Sequence, residues 1–487
     1  MSPEWLRPFR RAFWLLSGGL VVACLVLVTV NLFSGPRLIS VDVDNTAVVS
    51  EANQRLVLAT NHQLAAVTRD QVSIVPAADF QLLTRGDSVV ISFPQPLAYN
   101  TDYAVFVRGV TGVGADRQSV LSADFSTAEP LLYYLNRAAP STGVEARGAD
   151  RILRTTVGST ETAVAFASEN IQEFVRMGSE LAVVTASPNR ASADQRGADQ
   201  ASALYRVAAD GTAELLNLPG VGLVHDLRAA PGQSLLGFRF TSAADAPGPR
   251  YENVLFVLDL RTNVSATVLD QNGAPLSVTT WGFLAGRSDI VAQQYDSTLL
   301  LINPLNRSGG NPLETEPELD SSVALGQFAN LTAFAPDGVR IIAADRDGQY
   351  VLDLSQGTES AIVPQSVHGT TPSTAGLRFL AGREGGYVQR VADVDPSTGS
   401  VREHLSLVQG GETHTIYAPV SASETIVGFE ISPNDQYLAV QIVPNRNSEL
   451  SDGYPVNAQA TDATTLFVNL TTGSVQRSVL GFDATWQ

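Results

Sequence analysis

Residues 428–443 read Gly428-Phe-Glu-Ile-Ser-Pro-Asn-Asp-Gln-Tyr-Leu-Ala-Val-Gln-Ile-Val443, two apolar runs separated by a Pro-Asn-Asp turn. Apolar runs on either side of turn residues predict a β-hairpin. Phe334-Ala-Pro-Asp-Gly-Val-Arg-Ile-Ile-Ala343 has the same form. A half-copy, Gly481-Phe-Asp-Ala-Thr-Trp486, ends the chain, and weaker copies begin near Phe174, Leu227, Phe283 and Phe379. The hairpin therefore recurs along most of the sequence.

The copies of this hairpin start about 50 residues apart, which is the period of the four-stranded blades of β-propellers. The first blade has only three strand-like runs, Leu131–Leu135, Arg151–Val157 and Ala163–Phe166, so its inner strand is missing. We expect Phe482–Trp486 to supply that strand, because joining the chain ends removes an open sheet edge. The sequence therefore predicts an all-β chain in which residues 130–487 form a seven-bladed β-propeller closed by the C-terminal strand.

The third strands of the predicted blades share one apolar form, as in Leu255–Leu260, Leu299–Asn303, Tyr350–Leu354 and Leu466–Leu470. Apolar runs of this length suit strands that are buried on both faces. Together with the Phe-x-Pro-Asp-Gly hairpins, they resemble the TolB-like and WD-like propeller repeats of extracytoplasmic proteins. The resemblance implies a fold and leaves the function open.

Residues 37–128 contain about seven short strand-like runs, which is typical of a β-sandwich. Their last part, Pro96-Leu-Ala-Tyr-Asn-Thr-Asp-Tyr-Ala-Val-Phe-Val-Arg-Gly-Val110 followed by Phe125-Ser-Thr127, resembles the bacterial Ig-like domain of surface-layer and adhesion proteins. The resemblance implies a spacer domain.

An almost unbroken apolar run extends from Ala12 to Phe33, close to the roughly 20 residues that span a bilayer. Arg7, Arg10 and Arg11 precede it, so the positive-inside rule places residues 1–11 in the cytoplasm. The prediction is a transmembrane helix over 12–33, with a single-pass cell-membrane localisation and extracytoplasmic C-terminal domains. Two alternatives are a cleaved signal peptide and a lipoprotein, since Val21-Val-Ala-Cys24 resembles a lipobox.

The composition limits the classes of partner. The 487 residues are 44% hydrophobic and 16% charged, which favours folded β-rich material over disorder. The net charge of −18 disfavours nucleic acid, because phosphate binding needs clustered Lys and Arg. Besides the membrane, the expected partner is an envelope protein or a cell-wall polymer.

The loops between the second and third strands of the predicted blades differ greatly in length. The loops of four consecutive blades are long: Asn136–Asp150, Ser187–Ser202, Thr241–Asn253 and Pro444–Thr465. We expect them to form one arc on one face of the propeller and to carry a binding surface, since function often lies on loops over a rigid scaffold. Flexible insertions without a function are the alternative. The predicted contact residues are Arg or Tyr, the types that dominate interfaces: Arg190, Arg196, Arg250, Tyr251, Arg446 and Tyr454.

The sequence predicts no catalytic residue, metal site or cofactor. Its five histidines are dispersed, without the paired spacing of zinc ligands. His225-Asp226 lies where an inner strand could face the central channel, although a hydrogen-bonded turn is the more ordinary interpretation of such a pair.

The main functional hypothesis is a membrane-anchored extracytoplasmic binding or scaffold protein that presents a propeller to a protein or envelope polymer. The alternative is a propeller-fold hydrolase or lyase that acts on envelope glycans or peptides. Acidic side chains that converge in the channel and perturb one another's pKa would favour the enzyme. A third hypothesis is a subunit of a membrane complex, in which Gly18-Gly19 allows close helix packing.

Overall fold

The structure is a computed structural model that describes residues 13–22, 35–114, 117–138, 148–187, 201–305, 322–363, 372–382, 386–394, 401–454 and 456–487. The chain divides into two compact units, Met1–Ala128 and Glu129–Gln487. Both are built mainly from β-strands. The described helical segments are residues 13–22, Ala47–Ser50, and the 3-10 turns Arg69–Gln71 and Arg446–Ser448.

The first unit contains two described β-sheets. A four-stranded sheet has the order β1-β2-β5-β4 and a three-stranded sheet has the order β3-β6-β7. The strands are β1 (Leu38–Asp42), β2 (Gln54–Thr60), β3 (Val72–Val75), β4 (Gln81–Arg85), β5 (Ser88–Phe93), β6 (Asp102–Val110) and β7 (Ser119–Ser126). Residues along β5 and β6 alternate between buried and less buried positions, so one face of each strand packs inside the unit.

The second unit contains seven four-stranded sheets in its described part. The first consists of β8 (Leu131–Asn136), β9 (Asp150–Thr156) and β10 (Thr162–Ser168), with β35 (Phe482–Trp486) at its inner edge. The second consists of β11 (Ile171–Met177), β12 (Glu180–Ser187), β13 (Ala201–Val207) and β14 (Ala213–Leu216). The third consists of β15 (Gly222–Ala229), β16 (Leu235–Ser242), β17 (Val254–Asp259) and β18 (Val264–Thr267).

The remaining four sheets follow in chain order. They are β19 (Val278–Phe283), β20 (Ile290–Gln294), β21 (Thr298–Ile302) and β22 (Ser322–Gln327); β23 (Asn330–Phe334), β24 (Arg340–Ala344), β25 (Gln349–Asp353) and β26 (Thr358–Ile362); β27 (Pro372–Phe379), β28 (Tyr387–Val394), β29 (Val401–Gln409) and β30 (Glu412–Tyr417); and β31 (Thr425–Ile431), β32 (Tyr437–Val443), β33 (Thr464–Asn469) and β34 (Val475–Leu480). Sequential antiparallel sheets of this kind are the architecture of a β-propeller.

The inner strand of each sheet carries an irregularity in its pairing. The register shifts between Ile171 and Glu173 in β11, and equivalent shifts occur in β15, β19, β23, β27, β31 and β35. Such a shift inserts extra residues opposite the partner strand and re-aims their side chains. It recurs in all seven sheets of the second unit that are described, so it belongs to the repeat.

The two ends of the second unit meet in one sheet. Phe482 pairs with Leu135, Thr485 with Tyr133, and Trp486 with Leu132. The predicted pairing of Phe482–Trp486 with Leu131–Leu135 is therefore confirmed. Apolar clusters on both faces bury this sheet: Leu135 and Phe482 pack with residues of β11–β13, while Trp486 packs with Phe467 of β33.

The predicted transmembrane helix is wrong. The structure describes an apolar helix at residues 13–22. Among the described residues, no helix is both long enough and apolar enough to cross a membrane. The finding contradicts the single-pass localisation inferred from it. Residues 1–12 and 23–34, including Cys24, lie outside the described residues.

The predicted fold class needs a corresponding correction. The all-β content is as expected, but the transmembrane element is not found among the described residues. Nor is the chain as a whole a single closed seven-bladed propeller: it divides into two β-rich units, and the propeller-like sheets belong to the second. The periodic hairpins predicted the sheets correctly because their hydrogen bonds are local.

Candidate functional site

A pocket of about 560 Å³ lies along the inner strands at the C-terminal end of the second unit, and we call it the inner-strand pocket. Its volume is within the range of ligand sites, about 300–1,000 Å³. Strand β31 contributes most of one wall and β35 contributes the other. The lining residues are Arg378, Val427, Gly428, Phe429, Glu430, Ile431, Pro433, Ala439, Gln441, Gln459, Thr465, Asp483, Ala484, Thr485 and Trp486.

The register shifts of the inner strands shape this pocket. In β31 the pairing jumps from Ile426 to Gly428, and in β35 it jumps from Phe482 to Thr485. Val427 and Asp483 are thus released from regular pairing and line the pocket. Asp483 has φ +51°, a left-handed conformation that residues other than glycine seldom adopt. Backbone strain of this kind is often found at functional sites.

A chain of three side-chain hydrogen bonds ends on Asp483. Gln441 Nε2 donates to Gln459 Oε1 at 2.8 Å, and Gln459 Nε2 donates to Asn457 Oδ1 at 2.8 Å. Asn457 Nδ2 then donates to Asp483 Oδ2 at 3.0 Å. Gln459 and Asn457 each accept on the amide oxygen and donate from the amide nitrogen, so the orientations of these two amides fix one another. The relay holds the Asp483 carboxyl group in place as a hydrogen-bond acceptor.

Two carboxyl groups and one guanidinium line the inner-strand pocket. Arg378 binds Glu430 at 3.1 Å, and this carboxylate raises the pKa of Arg378. Burial raises the pKa of Asp483, and the negative charge of Glu430 adds to the rise. The Arg137 guanidinium and the Asn457 amide oppose that rise in the pKa of Asp483. With all three groups ionised, the pocket carries one net negative charge.

The other acidic side chains of the inner strands are engaged by neighbouring groups. Glu173 Oε1 and Oε2 accept backbone N–H groups of Asp226 at 3.2 Å and Leu227 at 2.9 Å, which connects β11 to β15. Burial nevertheless raises the pKa of Glu173. Asp226 forms ion pairs with Arg228 at 3.0 Å and with Arg239 at 3.4 Å. These carboxyl groups therefore join strands and sheets together.

His225 lies in β15 rather than in a turn. Burial lowers its pKa from the usual 6.5 to about 4, and the positive charge of Arg239 acts in the same direction, against Asp226. The side chain is therefore neutral near pH 7.

The residues predicted to form a binding surface do not share one environment in the structure. Arg190 and Arg196 lie outside the described residues. Arg250 is exposed, and its Nη1 donates to the Ala243 carbonyl at 3.4 Å. Arg446 is exposed in a 3-10 turn. Their binding role stays a prediction.

Both predicted tyrosines use their rings inside the second unit. Tyr251 is partly buried and makes edge-to-face contacts with Phe240 and Phe256 at centroid distances of 6.2 and 5.1 Å. Tyr454 is only 6% exposed, and its hydroxyl donates to the buried Asp150 carboxylate. Tyr454 is therefore not available as a surface contact. The loop that carries it folds inward, although its length predicts an exposed loop.

Arg137, which no sequence pattern marks as functional, donates hydrogen bonds to the inward-folded loop. The guanidinium carbon of Arg137 lies 3.9 Å from the centroid of the Tyr454 ring and 4.8 Å from the centroid of the Phe482 ring. Its Nη1 donates to Asp452 at 2.6 Å and to the Asn457 carbonyl at 2.8 Å. The Arg137 side chain is 2% exposed.

Arg137 also reaches the neighbouring sheet. Its Nε donates to the Ile171 carbonyl at 3.0 Å, and its Nη2 donates to the Gln172 carbonyl at 2.7 Å. The residue thus connects the ends of β8, β11 and the β32–β33 loop. No spacing or motif around Arg137 signals this role, since its partners are far away in the sequence.

The β32–β33 loop brings one of the four predicted long loops to the inner-strand pocket. Gln459 lines the pocket and Asn457 supports Asp483 from behind. Of the other predicted loops, residues 139–147 and 188–200 lie outside the described residues. The predicted arc of loops therefore stays a prediction, with one member placed at the pocket. Among the described residues, no group of three or more His, Cys, Asp or Glu side chains is arranged to hold a metal ion.

No protein-family model and no curated protein matches the chain. Solved structures do show similarity at 10 to 14% identity. The dihydro-heme d1 dehydrogenase NirN in complex with DHE is matched at a TM-score of 0.38 and 12% identity, over 73% of this chain and 74% of that one. An acylaminoacyl peptidase from Pyrococcus horikoshii is matched at a TM-score of 0.40 and 14% identity. The match covers 67% of this chain and 52% of the peptidase, which is about half of its length.

A putative TolB from Agrobacterium tumefaciens gives a TM-score of 0.31 at 10% identity, over 74% of this chain and 99% of that one. The fold itself rests on the order of the sheets described above, which is that of a β-propeller.

Proposed function

We propose that the chain is a binding protein that takes a segment of a protein or polymer partner into the inner-strand pocket. The observation that carries the proposal is the pocket itself, about 560 Å³ in volume, with polar groups held in fixed orientations along its walls. Ligand sites commonly combine such a cavity with a few placed polar groups. The TolB-like repeats favour an envelope protein or an envelope polymer as the partner.

The first unit fits a spacer role in this proposal. Its seven described strands in two sheets agree with the Ig-like sandwich that the sequence resembles. We assign the binding role to the second unit because it contains the inner-strand pocket.

The proposal can be tested by placing a photo-crosslinking amino acid at Val427, which is 44% exposed and lines the pocket. Val394, which is 46% exposed and not among the lining residues, is the matched control position. We expect a partner to be captured from Val427 and not from Val394 in cells that produce the full chain.

A second variant fills the pocket. A Cβ added at Gly428 would meet no atom within 4 Å, and the φ of this glycine is not in the left-handed region. The indole introduced by Gly428→Trp can therefore occupy the open space of the pocket without backbone strain. Gly158→Trp is the control, since Gly158 has the same freedom away from the pocket. Capture that persists in Gly428→Trp, or that is equal at Val427 and Val394, would refute the proposal.

A hydrolase or lyase is the second candidate function, favoured by the raised pKa values of Glu173 and Asp483. Raised carboxyl pKa values are typical of general acids. Against the enzyme, both carboxylate oxygens of Glu173 accept backbone N–H groups. Glu173 is therefore not free to act as a second catalytic carboxyl group beside Asp483. Turnover of an envelope glycan or peptide that is lost in Asp483→Asn would favour the enzyme over the binding protein.

A further inference from the structure

Two carboxylate oxygens in the inner-strand pocket have hydrogen-bonding capacity to spare. Asp483 accepts from Asn457 through Oδ2, and its Oδ1 has no donor among the described residues. Glu430 accepts both Arg378 bonds through Oε1, at 3.2 and 3.1 Å, and its Oε2 likewise has no donor in the described part of the chain. A carboxylate oxygen in a partly desolvated pocket gains most from a charged donor.

The guanidinium groups near the pocket are already occupied. Arg378 is paired with Glu430 and donates its Nη1 to the Leu377 carbonyl at 3.1 Å. Arg137 donates to Asp452 and to the carbonyls of Asn457, Ile171 and Gln172. Among the described residues neither guanidinium donates a hydrogen bond to Asp483, although the positive charge of Arg137 lowers the pKa of Asp483. With Arg378, Glu430 and Asp483 ionised, the lining of the pocket keeps its net negative charge.

From these contacts we infer that the pocket binds a lysine side chain of a protein partner, with Asp483 and Glu430 as the acceptors of its ammonium group. The inference rests on the proposed binding function and names the chemistry of its ligand. An ammonium group has three N–H donors, enough for both free carboxylate oxygens. Val427, which is 44% exposed, lines the same pocket and offers apolar surface to the methylene stem, as long cationic side chains prefer.

The arrangement also explains why the amide relay has one direction. Gln441, Gln459 and Asn457 each donate towards Asp483, so the relay supports a carboxylate and leaves its second oxygen for a ligand. The ion pair with Arg378 positions Glu430 without using its Oε2.

The test measures binding of small probes to the full chain by isothermal titration calorimetry. The first probe is Nα-acetyl-lysine amide, and its uncharged counterpart is Nα-acetyl-norleucine amide. We expect saturable binding of the lysine probe and at least about tenfold weaker binding of the norleucine probe, because a hydrogen bond to a charged group is lost. Glucosamine is the third probe and represents a polymer amine.

The decisive variants are Asp483→Asn and Glu430→Gln. Asn tolerates the left-handed backbone of position 483, so Asp483→Asn keeps the fold while removing the charge. We expect each variant to weaken binding of the lysine probe about tenfold or more. Glu359→Gln, at an exposed residue of β26, is the matched control and leaves the affinity unchanged.

The outcomes separate this inference from the proposed function. No saturable binding of the lysine probe, equal binding of the lysine and norleucine probes, tighter binding of glucosamine, or unchanged affinity in Asp483→Asn would each overturn the lysine assignment. Partner capture that still depends on an open pocket at Gly428 would leave the proposed function standing. If Gly428→Trp does not reduce partner capture, both the proposed binding function and the lysine assignment are refuted.

Discussion

The buried side chain of Arg137 donates hydrogen bonds to acceptors on several elements of the second unit. Its guanidinium joins the end of β8 to β11 and to the β32–β33 loop, and it lies between the rings of Tyr454 and Phe482. The partner carboxylate, Asp452, is as buried as Arg137, with side-chain exposures of 4% and 2%. A buried charge that loses its partner is costly, since water cannot replace it.

We therefore predict that Arg137→Leu lowers the free energy of unfolding by about 3–5 kcal/mol. The loss combines an unpaired Asp452 with carbonyls that lose their donors. Chemical denaturation followed by tryptophan fluorescence measures it.

The matched control for Arg137 is Arg206→Leu. Arg206 pairs with Glu180 at 2.8 Å, but both side chains are about one third exposed, at 36 and 29%. A pair this exposed contributes about 0–1 kcal/mol. Equal losses in the two variants would show that the buried network adds nothing.

His225 gives a prediction for the pH dependence of stability. Its pKa is about 4 in the folded chain and 6.5 in an ordinary environment. Between these values the unfolded chain binds a proton that the folded chain does not, so stability falls as pH is lowered from 6.5 to 4. The full loss due to His225 is about 3 kcal/mol.

The measurement compares wild type with His225→Gln by denaturation at several pH values. We expect the variant to lose less stability on acidification, because the neutral glutamine takes up no proton. His414→Gln, at a side chain that is 65% exposed, should follow the wild-type profile. Parallel profiles for wild type and His225→Gln would contradict the assignment.

At the scale of the element, the last strand determines whether the first sheet of the second unit is complete. Strand β35 pairs with β8 and places Phe482 and Trp486 in two different apolar clusters. Without β35, the backbone edge of β8 is open, and an open edge pairs readily with other chains.

We predict that deletion of residues 482–487 causes aggregation and the loss of cooperative unfolding. Light scattering and thermal denaturation measure these effects. A peptide with the sequence of residues 481–487, added in excess, should reduce the scattering because it can pair with β8, and a scrambled peptide should not. A deletion variant that stays monomeric and unfolds like wild type would show that the pairing is dispensable.

At the scale of the whole molecule, the chain divides into two compact units. The larger one, Glu129–Gln487, contains both partners of the β8–β35 pairing and every lining residue of the inner-strand pocket. Its fold and its site are therefore internal to one segment of the sequence.

We predict that a fragment of residues 129–487 folds without the first unit. It should show one cooperative thermal transition and bind the lysine probe as the full chain does. A fragment of residues 129–481 is the control and should lack the cooperative transition, because β35 is missing. An unfolded 129–487 fragment would show that the first unit is needed for folding.

The parts of the structure that could be predicted are those that depend on neighbours in the sequence. The hairpins around Phe334 and Phe429 follow from apolar runs and turn residues, and their strands are found at Asn330–Phe334, Arg340–Ala344, Thr425–Ile431 and Tyr437–Val443. The pairing of the chain ends could also be predicted, because one sheet lacked a strand and the final half-copy lacked a sheet. The membrane helix predicted from hydropathy is not found among the described residues.

The sequence by itself determined the repeated antiparallel sheets, since each hairpin is specified by residues within about 20 positions of one another. Only the tertiary structure decided the site. Arg137 and Asp452 are separated by 315 positions, and Asn457 and Asp483 by 26, so no local pattern relates them. Tyr454 looked like a surface contact, and Asp483 was an unremarked residue of a half-copy. The physical reason is that burial and hydrogen-bond partners depend on which distant segments pack together, and residue type alone does not report that.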